Sequence, residues 1–374
     1  MKILFTGGGT AGHIFPIIAV VRELRKMGSQ AQFFYAGPKD DFGEIVLSQE
    51  DIKIKWVLAG KIRRYLSFKS ILQNIVDVLF KTPLGFLQAF FYVFSLAPDL
   101  IFSKGGYGSL ATVMAGQILQ VPIMLHESDV VPGLANRFLG KFANQVFVAF
   151  PEAQTEYFSE KKMISVGNPM RIELLSGSKE KAKEYFDLTG EKPIILVLGG
   201  SQGAQAVNDL LLAILPQLLS DFEVIHQTGS KNLAQLKAEA KVVISNELGL
   251  RYHPIGFLKE VELRDAFKAS DLVVSRAGSG SIFEIAACQK PSILIPLSSS
   301  AQDHQLKNAY AYAQNKATIV LEEANLTPRF FLEKIKYLFA NPDELQKMSQ
   351  KASEFSRPDS AKVLAQYIIK YLTK

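Results

Sequence analysis

ILFTGGGTAG (residues 3–12) and ILVLGGSQGA (residues 195–204) read alike: each is an apolar strand running into glycines and small polar residues. A doubly wound α/β domain opens this way, with a buried parallel strand that turns through glycine into a helix. Around the two stretches, short β-rich runs alternate with longer helical ones, the pattern of parallel sheets covered by helices. The first half offers KILFT, AQFFYAG, KIKWVL, DLIFS, VPIMLHE and QVFVAF as strands. The second offers PIILVLGG, FEVIHQTG, DLVVSRAG, PSILIPL and ATIVLEE. Two domains are therefore expected, and a chain of 374 residues is long for one core. The best divide is VGNPMR (166–171), where Gly167, Asn168 and Pro169 supply turn chemistry after a strand. The last stretch, DSAKVLAQYIIKYLTK, predicts an amphipathic helix capped near Asp359.

Composition bounds the class. Apolar residues make up 48% and charged residues 21%, as in a folded globular protein. The single cysteine, Cys288, cannot form an internal disulfide and is expected as a small core residue in a reducing compartment. MKILFTGGG carries too short an apolar run for a signal peptide, so a cytoplasmic protein is expected. The net charge of +6 invites an anionic partner without choosing among nucleic acid, membrane and phosphates.

Gly7, Gly9 and Gly12 satisfy G-x-G-x-x-G after a strand, which raises a dinucleotide enzyme. That fold wants an acid on the ribose about 20 residues further on. SQAQFFYAG offers none before Asp40, so a nicotinamide oxidoreductase loses ground. The loop in DLVVSRAGSGSIFEIAA (271–287) is more specific. There Gly278, Ser279, Gly280 and Ser281 precede a helix expected to begin near Ile282. Glycines let a diphosphate approach the backbone, serines add donors, and the helix amino end adds about half a positive charge. Glu284, expected in the first helical turn, can accept hydrogen bonds from a ribose diol, or can simply favour the helix dipole. No D-x-D pair, metal-ligand spacing or P-loop occurs, so helix ends and arginines are expected to neutralise phosphates, with no tightly bound metal or other cofactor.

GGGTAGHIFP (7–16), GGYGS (105–109), HESDVVPGLANR (126–137), VGNPMR, GGSQGAQAVN (199–208) and SRAGSGSIFEI (275–285) stand in an order that resembles the MurG family. Its members are UDP-N-acetylglucosamine:N-acetylmuramoyl-(pentapeptide) pyrophosphoryl-undecaprenol N-acetylglucosamine transferases. The resemblance implies a glycosyltransferase-B fold, two Rossmann-like domains facing across a cleft, the last helix returning to the first domain. The domains expected are 1–168 plus 355–374, for acceptor and membrane, and 169–354, for the donor. The implied reaction moves GlcNAc from UDP-GlcNAc to the C4 hydroxyl of lipid I, with inversion, giving lipid II for peptidoglycan.

Carried over residue by residue, the resemblance assigns Ser279, Gly280, Ser281 and Glu284 to the donor's diphosphate and ribose. It assigns Ser201 and Arg171 to phosphate contacts, Leu258 to the uracil and Gln305 to the donor sugar. Thr10, Ala11 and Gly12 match the amino-terminal loop, and Asp129 falls near the GlcNAc. Ala11 stands where the family has glycine, and Asp129 where it has asparagine. An imidazole of ordinary pKa near 6.5 can take a proton at neutral pH, so His13 is the candidate base and Glu127 the second. The alternatives for His13 are phosphate binding or helix capping; for Glu127, a structural carboxylate at a strand end.

Residues 52–98 hold Lys53, Lys55, Lys61, Arg63, Arg64, Lys69 and Lys81 against Asp77 alone, interleaved with phenylalanines. Thr82 to Pro98 is uncharged but short of the roughly 20 residues a spanning helix needs, and 84–97 is expected to pack on the sheet. For 61–81 a basic, aromatic surface on anionic lipid is expected, with Arg63, Arg64 and Lys69 as contacts. That makes the protein peripheral at the cytoplasmic membrane face. No nucleic-acid motif accompanies the patch. The rival readings are another glycosyltransferase-B glycolipid transferase, a nucleotide-sugar epimerase, or a non-catalytic nucleotide-sugar-binding or scaffold protein.

Overall fold

The computed structural model describes residues 1–8, 11–61, 63, 67–150, 156–200, 203–298 and 300–373, with Lys69 and Ala301 described by backbone alone. The chain forms two compact units. Unit 1 is Met1–Arg171 with Asp359–Lys374, and unit 2 is Ile172–Pro358. The sequence had suggested 168/169 and 354/355 as the divides.

Unit 1 runs β1 (Lys2–Thr6), α1 (Ala11–Lys26), β2 (Gln32–Gly37), α2 (Asp41–Gln49), β3 (Lys53–Trp56), α3 (Phe68–Val76), a π-helical turn (Asp77–Lys81) and α4 (Thr82–Leu96). It continues with β4 (Leu100–Ser103), α5 (Leu110–Ile118), β5 (Ile123–Glu127), α6 (Leu134–Leu139), β6 (Gln145–Val148) and β7 (Met163–Ser165). Among the described residues its sheet is wholly parallel, in the order β3-β2-β1-β4-β5-β6-β7. Helices cover both faces, so the inner strands are continuous apolar runs: Ile3, Leu4 and Phe5 are all fully buried. The C-terminal helix, Ser360–Leu372, buries Ala361, Leu364, Ala365 and Ile368 in the same core as α1, and Tyr367 packs edge-on to Phe147. Asp359 is its N-cap residue by position, without a capping side-chain hydrogen bond.

Unit 2 runs α7 (Lys179–Phe186), β8 (Ile194–Leu198), α8 (Gln205–Asp221), β9 (Glu223–Gln227), α9 (Leu233–Val243), α10 (Asn246–Gly249), β10 (Tyr252–Ile255), α11 (Glu260–Ala269) and β11 (Leu272–Ser275). It ends with α12 (Ser279–Ala287), β12 (Ser292–Leu294), α13 (His304–Ala313), β13 (Thr318–Val320), α14 (Pro328–Ala340) and α15 (Pro342–Phe355). The sheet order is β10-β9-β8-β11-β12-β13, again parallel. All eleven strands read from the sequence are present. β7 was implied only by the turn at VGNPMR, and β10 was not read, because it is a short edge strand without an apolar run. Pro254 inside β10 is tolerable because, among the described residues, no strand pairs on its outer side.

Three expectations are corrected. α12 begins at Ser279 rather than near Ile282, with Gly278 as N-cap and Ile282 N–H to Gly278 O (3.1 Å) opening the ladder. Glu284 therefore sits in the second turn, which removes the first-turn dipole explanation for it. Cys288 is only partly buried, at the end of α12, with its thiol toward Leu174 O. The third correction concerns α4. Its face of Gly85, Ala89, Val93 and Leu96 packs inward, while Leu84, Leu87, Phe91 and Phe94 face solvent. The helix is also continuous from α3: Ser70–Leu96 spans 27 residues and is long and apolar enough to cross a membrane. The π turn just ahead of Pro83 lets it continue past a residue with no N–H to donate.

Candidate functional site

In a doubly wound sheet, ligands bind beyond the carboxyl ends of the strands where the strand order reverses. In unit 1 that point lies between β1 and β4, in unit 2 between β8 and β11. Several of the residues singled out by their chemistry lie at these two places.

At the unit 1 switch point, the loop after β1 leads into α1, and His13 lies in that helix's first turn. A Cβ on Gly8 would come within 3.1 Å of the imidazole, so the glycine lets the loop lie flat against the ring. The loop after β4 brings Lys104, Gly105 and Gly106. Both glycines have φ of +78°, the left-handed region, and a Cβ on Gly105 would overlap the Asn136 amide. This close approach lets Gly106 N–H donate to Asn136 Oδ1 at 3.1 Å. Asn136 Nδ2 in turn donates to Glu127 Oε2 at 2.7 Å, and Glu127 Oε1 accepts the Asp129 N–H at 2.8 Å.

The electrostatics of this cluster differ from the ordinary values. Burial, reinforced by the Lys104 charge and opposed by Asp129, pulls His13 down to about 4. Burial and the neighbouring Asp129 charge push Glu127 up to about 7, against its hydrogen bonds from Asp129 and Asn136. Burial pulls Lys104 down to about 7, opposed by Glu127 and Asp129. His13 is thus a neutral imidazole at neutral pH, a state able to accept a proton. Its ordinary value of 6.5 does not survive burial.

At the unit 2 switch point, Gly278 caps α12, and Ser279, Gly280 and Ser281 form its first turn. The positive end of the helix dipole and the first-turn amides converge there. Arg276, just before the loop, ties it to its neighbours through Ile295 O at 3.1 Å and Glu323 at 2.7 Å. On the far side, Leu258 is buried and its N–H donates to Gln227 Oε1 at 3.1 Å, while Gln227 Nε2 donates to Gly200 O at 3.1 Å. The last residue of β9 thereby fastens the loops that follow β8 and β10. Gln305 Oε1 accepts the Leu297 N–H at 3.0 Å, so that oxygen holds the loop after β12.

The remaining predicted residues scatter or fall outside the description. Ala11 and Gly12 open α1 beside His13. Arg171, expected with the donor half, belongs to unit 1, where its buried guanidinium stacks 3.9 Å over the Phe15 ring. Thr10, Arg64 and Ser201 lie outside the described residues, as does the Lys69 side chain. Arg63 is described, and it pairs with the buried Asp77 at 2.8 Å rather than standing clear in solvent. Lys81 joins the same carboxylate at 2.7 Å, and these cations hold Asp77 down at about 2 despite its burial. Lys104, Asn136 and Gln227 were missed, although Lys104 directly follows β4, Gln227 ends β9, and Asn136, on α6, stands within the quoted HESDVVPGLANR stretch. Among the described residues, no three His, Cys, Asp or Glu side chains are grouped to hold a metal.

Residues 3–148 match the glycosyltransferase family 28 N-terminal domain and residues 194–364 its C-terminal domain. A Clostridium tetani UDP-N-acetylglucosamine–N-acetylmuramyl-(pentapeptide) pyrophosphoryl-undecaprenol N-acetylglucosamine transferase is 37% identical over 353 residues, 94% of each chain. Among solved structures, Acinetobacter baumannii MurG aligns with a TM-score of 0.73 at 24% identity, covering 99% of both chains. A UDP-GlcNAc 2-epimerase from Neisseria meningitidis, bound to UDP-GlcNAc, aligns at 0.69 and 14% over 99% of this chain and 100% of that one. These two likenesses establish a shared two-domain glycosyltransferase-B fold, while identity along nearly the whole chain is what separates the transferase from the epimerase. On that ground the chain belongs to the MurG family of glycosyltransferases.

Proposed function

We propose that this protein transfers GlcNAc from UDP-GlcNAc to the C4 hydroxyl of lipid I, with inversion, to form lipid II in peptidoglycan synthesis. The observation that carries the reading is the 37% identity to a transferase of this name over 94% of the chain. The local geometry supports it. Unit 2 takes the donor: the α12 amino end and the hydroxyls of Ser279 and Ser281 face the diphosphate, with Gly280 allowing close approach. Glu284 accepts from the ribose, Leu258 borders the uracil, and Gln305 meets the sugar. Ser201 and Arg171 are assigned to substrate phosphates.

Unit 1 takes the acceptor on Thr10, Ala11 and Gly12, with Asp129 near the transferring sugar. As the C4 oxygen attacks the anomeric carbon, its proton passes to His13 and the bond to the UDP oxygen breaks. The departing diphosphate's charge is met by helix dipole and arginine, which makes a bound metal unnecessary. Glu127 is the lesser candidate for base, since both its oxygens already accept hydrogen bonds from Asn136 and Asp129.

The acceptor is lipid-linked, and the 68–96 helix supports a peripheral place at the cytoplasmic face of an anionic membrane. Phe68, Leu72, Leu79, Phe80, Leu87, Phe91 and Phe94 are exposed along it. Gly85, whose Cβ would overlap Leu58 O, fixes the opposite side to the domain, so the helix lies on the surface rather than crossing it. Nucleic acid has no place in this reading.

The test is radiolabel transfer to a lipid I analogue from UDP-GlcNAc, UDP-Glc and UDP-GalNAc, with and without EDTA. Transfer from UDP-GlcNAc that survives chelation is expected. Conversion of UDP-GlcNAc to its 2-epimer without acceptor supports the epimerase instead, and nucleotide binding with no turnover supports a binding protein.

A further inference from the structure

Lys104 follows β4 at the switch point, and only 2% of it is exposed. A buried ammonium is costly unless each of its protons finds an acceptor. Here it has three: His126 Nδ1 at 2.7 Å, Ser128 Oγ at 2.5 Å and Asn168 Oδ1 at 3.2 Å. The acceptor role of His126 Nδ1 follows from its other nitrogen. Nε2 lies 2.9 Å from Gly167 O, a carbonyl that can only accept, so Nε2 carries the proton and Nδ1 has a lone pair for Lys104. The Ser128 hydroxyl donates onward to Asn168 Oδ1 at 3.1 Å. One amine thus joins the ends of β4 and β5 to the turn after β7.

Among the described residues, the titratable groups that act on His13 and Lys104 and on each other are His13 from α1, Lys104 after β4, and His126, Glu127 and Asp129 at the end of β5. A Cβ on Gly7 would lie 3.3 Å from the His13 Cβ and 3.4 Å from the Lys104 Cβ, so the two side chains leave the backbone side by side. Asp129 favours an imidazolium at His13, which cannot accept a proton, whereas the Lys104 charge opposes it.

We propose that Lys104 is a positioning residue for the transfer step. By donating to His126, Ser128 and Asn168 at once, its ammonium fixes the 126–129 turn and holds beside His13 a positive charge that offsets Asp129, adding to burial in keeping the imidazole unprotonated. The proposal rests on His13 being the base, so its test reads the imidazole directly as well as through activity.

The experiment is an NMR pH titration of the His13 ring, assigned with His13→Asn, in wild type and in Lys104→Met. Removing the charge is expected to raise the His13 titration by on the order of one pH unit. The acidic limb of kcat/KM moves the same way, while KM for UDP-GlcNAc stays put. Lys104→Gln is neutral yet still donates two hydrogen bonds, so it separates lost charge from lost bonding and is expected to give the same shift. An unchanged His13 titration in either folded variant overturns the proposal. If neither variant folds, ¹³C-lysine NMR of the wild type decides: an ammonium at pH 6 supports it, and a neutral amine there overturns it. Wild type without transfer activity would count against the proposed reaction, while the ring titration still judges Lys104.

Discussion

Asn136 donates its side-chain amide to Glu127 Oε2 across 2.7 Å while its own carbonyl oxygen accepts the Gly106 N–H. This makes Glu127 the keystone between the 105–106 turn and the 127–129 turn. Glu127→Gln replaces one accepting oxygen with an NH₂ and is expected to cost about 1–3 kcal/mol of stability, measured by denaturant unfolding. Glu127 is raised in the folded protein to about 7 from an ordinary 4.5. Between those values the folded state holds the extra proton, so its stabilising contribution is full below pH 4.5 and lost as pH rises through 7. That slope should vanish in Glu127→Gln, and its persistence would place the titration elsewhere.

His13 and Glu127 are separable as bases by the same pH axis. With His13 held near 4 and Glu127 near 7, an acidic limb of kcat/KM near pH 4 identifies His13, and one near pH 7 identifies Glu127. His13→Ala should lower kcat by about 10²-fold or more with little change in donor KM. A kcat close to wild type, with a raised KM for the lipid acceptor, would instead make His13 a phosphate ligand.

Glu284 stands one turn into α12, where the residue is partly buried. If it accepts from the donor ribose, Glu284→Ala should weaken UDP binding by about 1.5–3 kcal/mol. Calorimetric titration is the measurement, and undiminished affinity in a folded variant removes the residue from the site.

The proposed membrane face rests on apolar side chains more than on Arg63. Changing Leu87, Phe91 and Phe94 to serine should release the protein from anionic vesicles, since each buried side chain of this kind is worth about 1.5–3 kcal/mol. UDP binding, assigned to unit 2, should persist. Arg63→Glu sets a carboxylate against the buried Asp77 and should lower the Tm rather than act on lipid alone. Vesicle flotation and thermal melts of both variants check the pair, and equal flotation of the serine variant and wild type would discard the lipid face.

The sequence by itself determined the architecture. Apolar runs of strand length, spaced by helical stretches and punctuated by glycine at 7–9 and 199–200, leave little besides two parallel doubly wound sheets. Local chemistry also put a glycine- and serine-rich turn between β11 and a helix, although the helix begins at Ser279 rather than near Ile282. What the tertiary structure alone decided is charge and partnership. His13 has an ordinary histidine's sequence, and only burial beside Lys104 strips its proton. Arg63 looks like one of several surface cations until the helix 68–96 brings Asp77 to it. Lys104 reaches the turn after β5 from the end of β4, and Asn136 reaches Glu127 from α6. Such interactions depend on which loops the sheet order sets side by side, and on how much water folding removes between them. Neither quantity is written in the local run of residues.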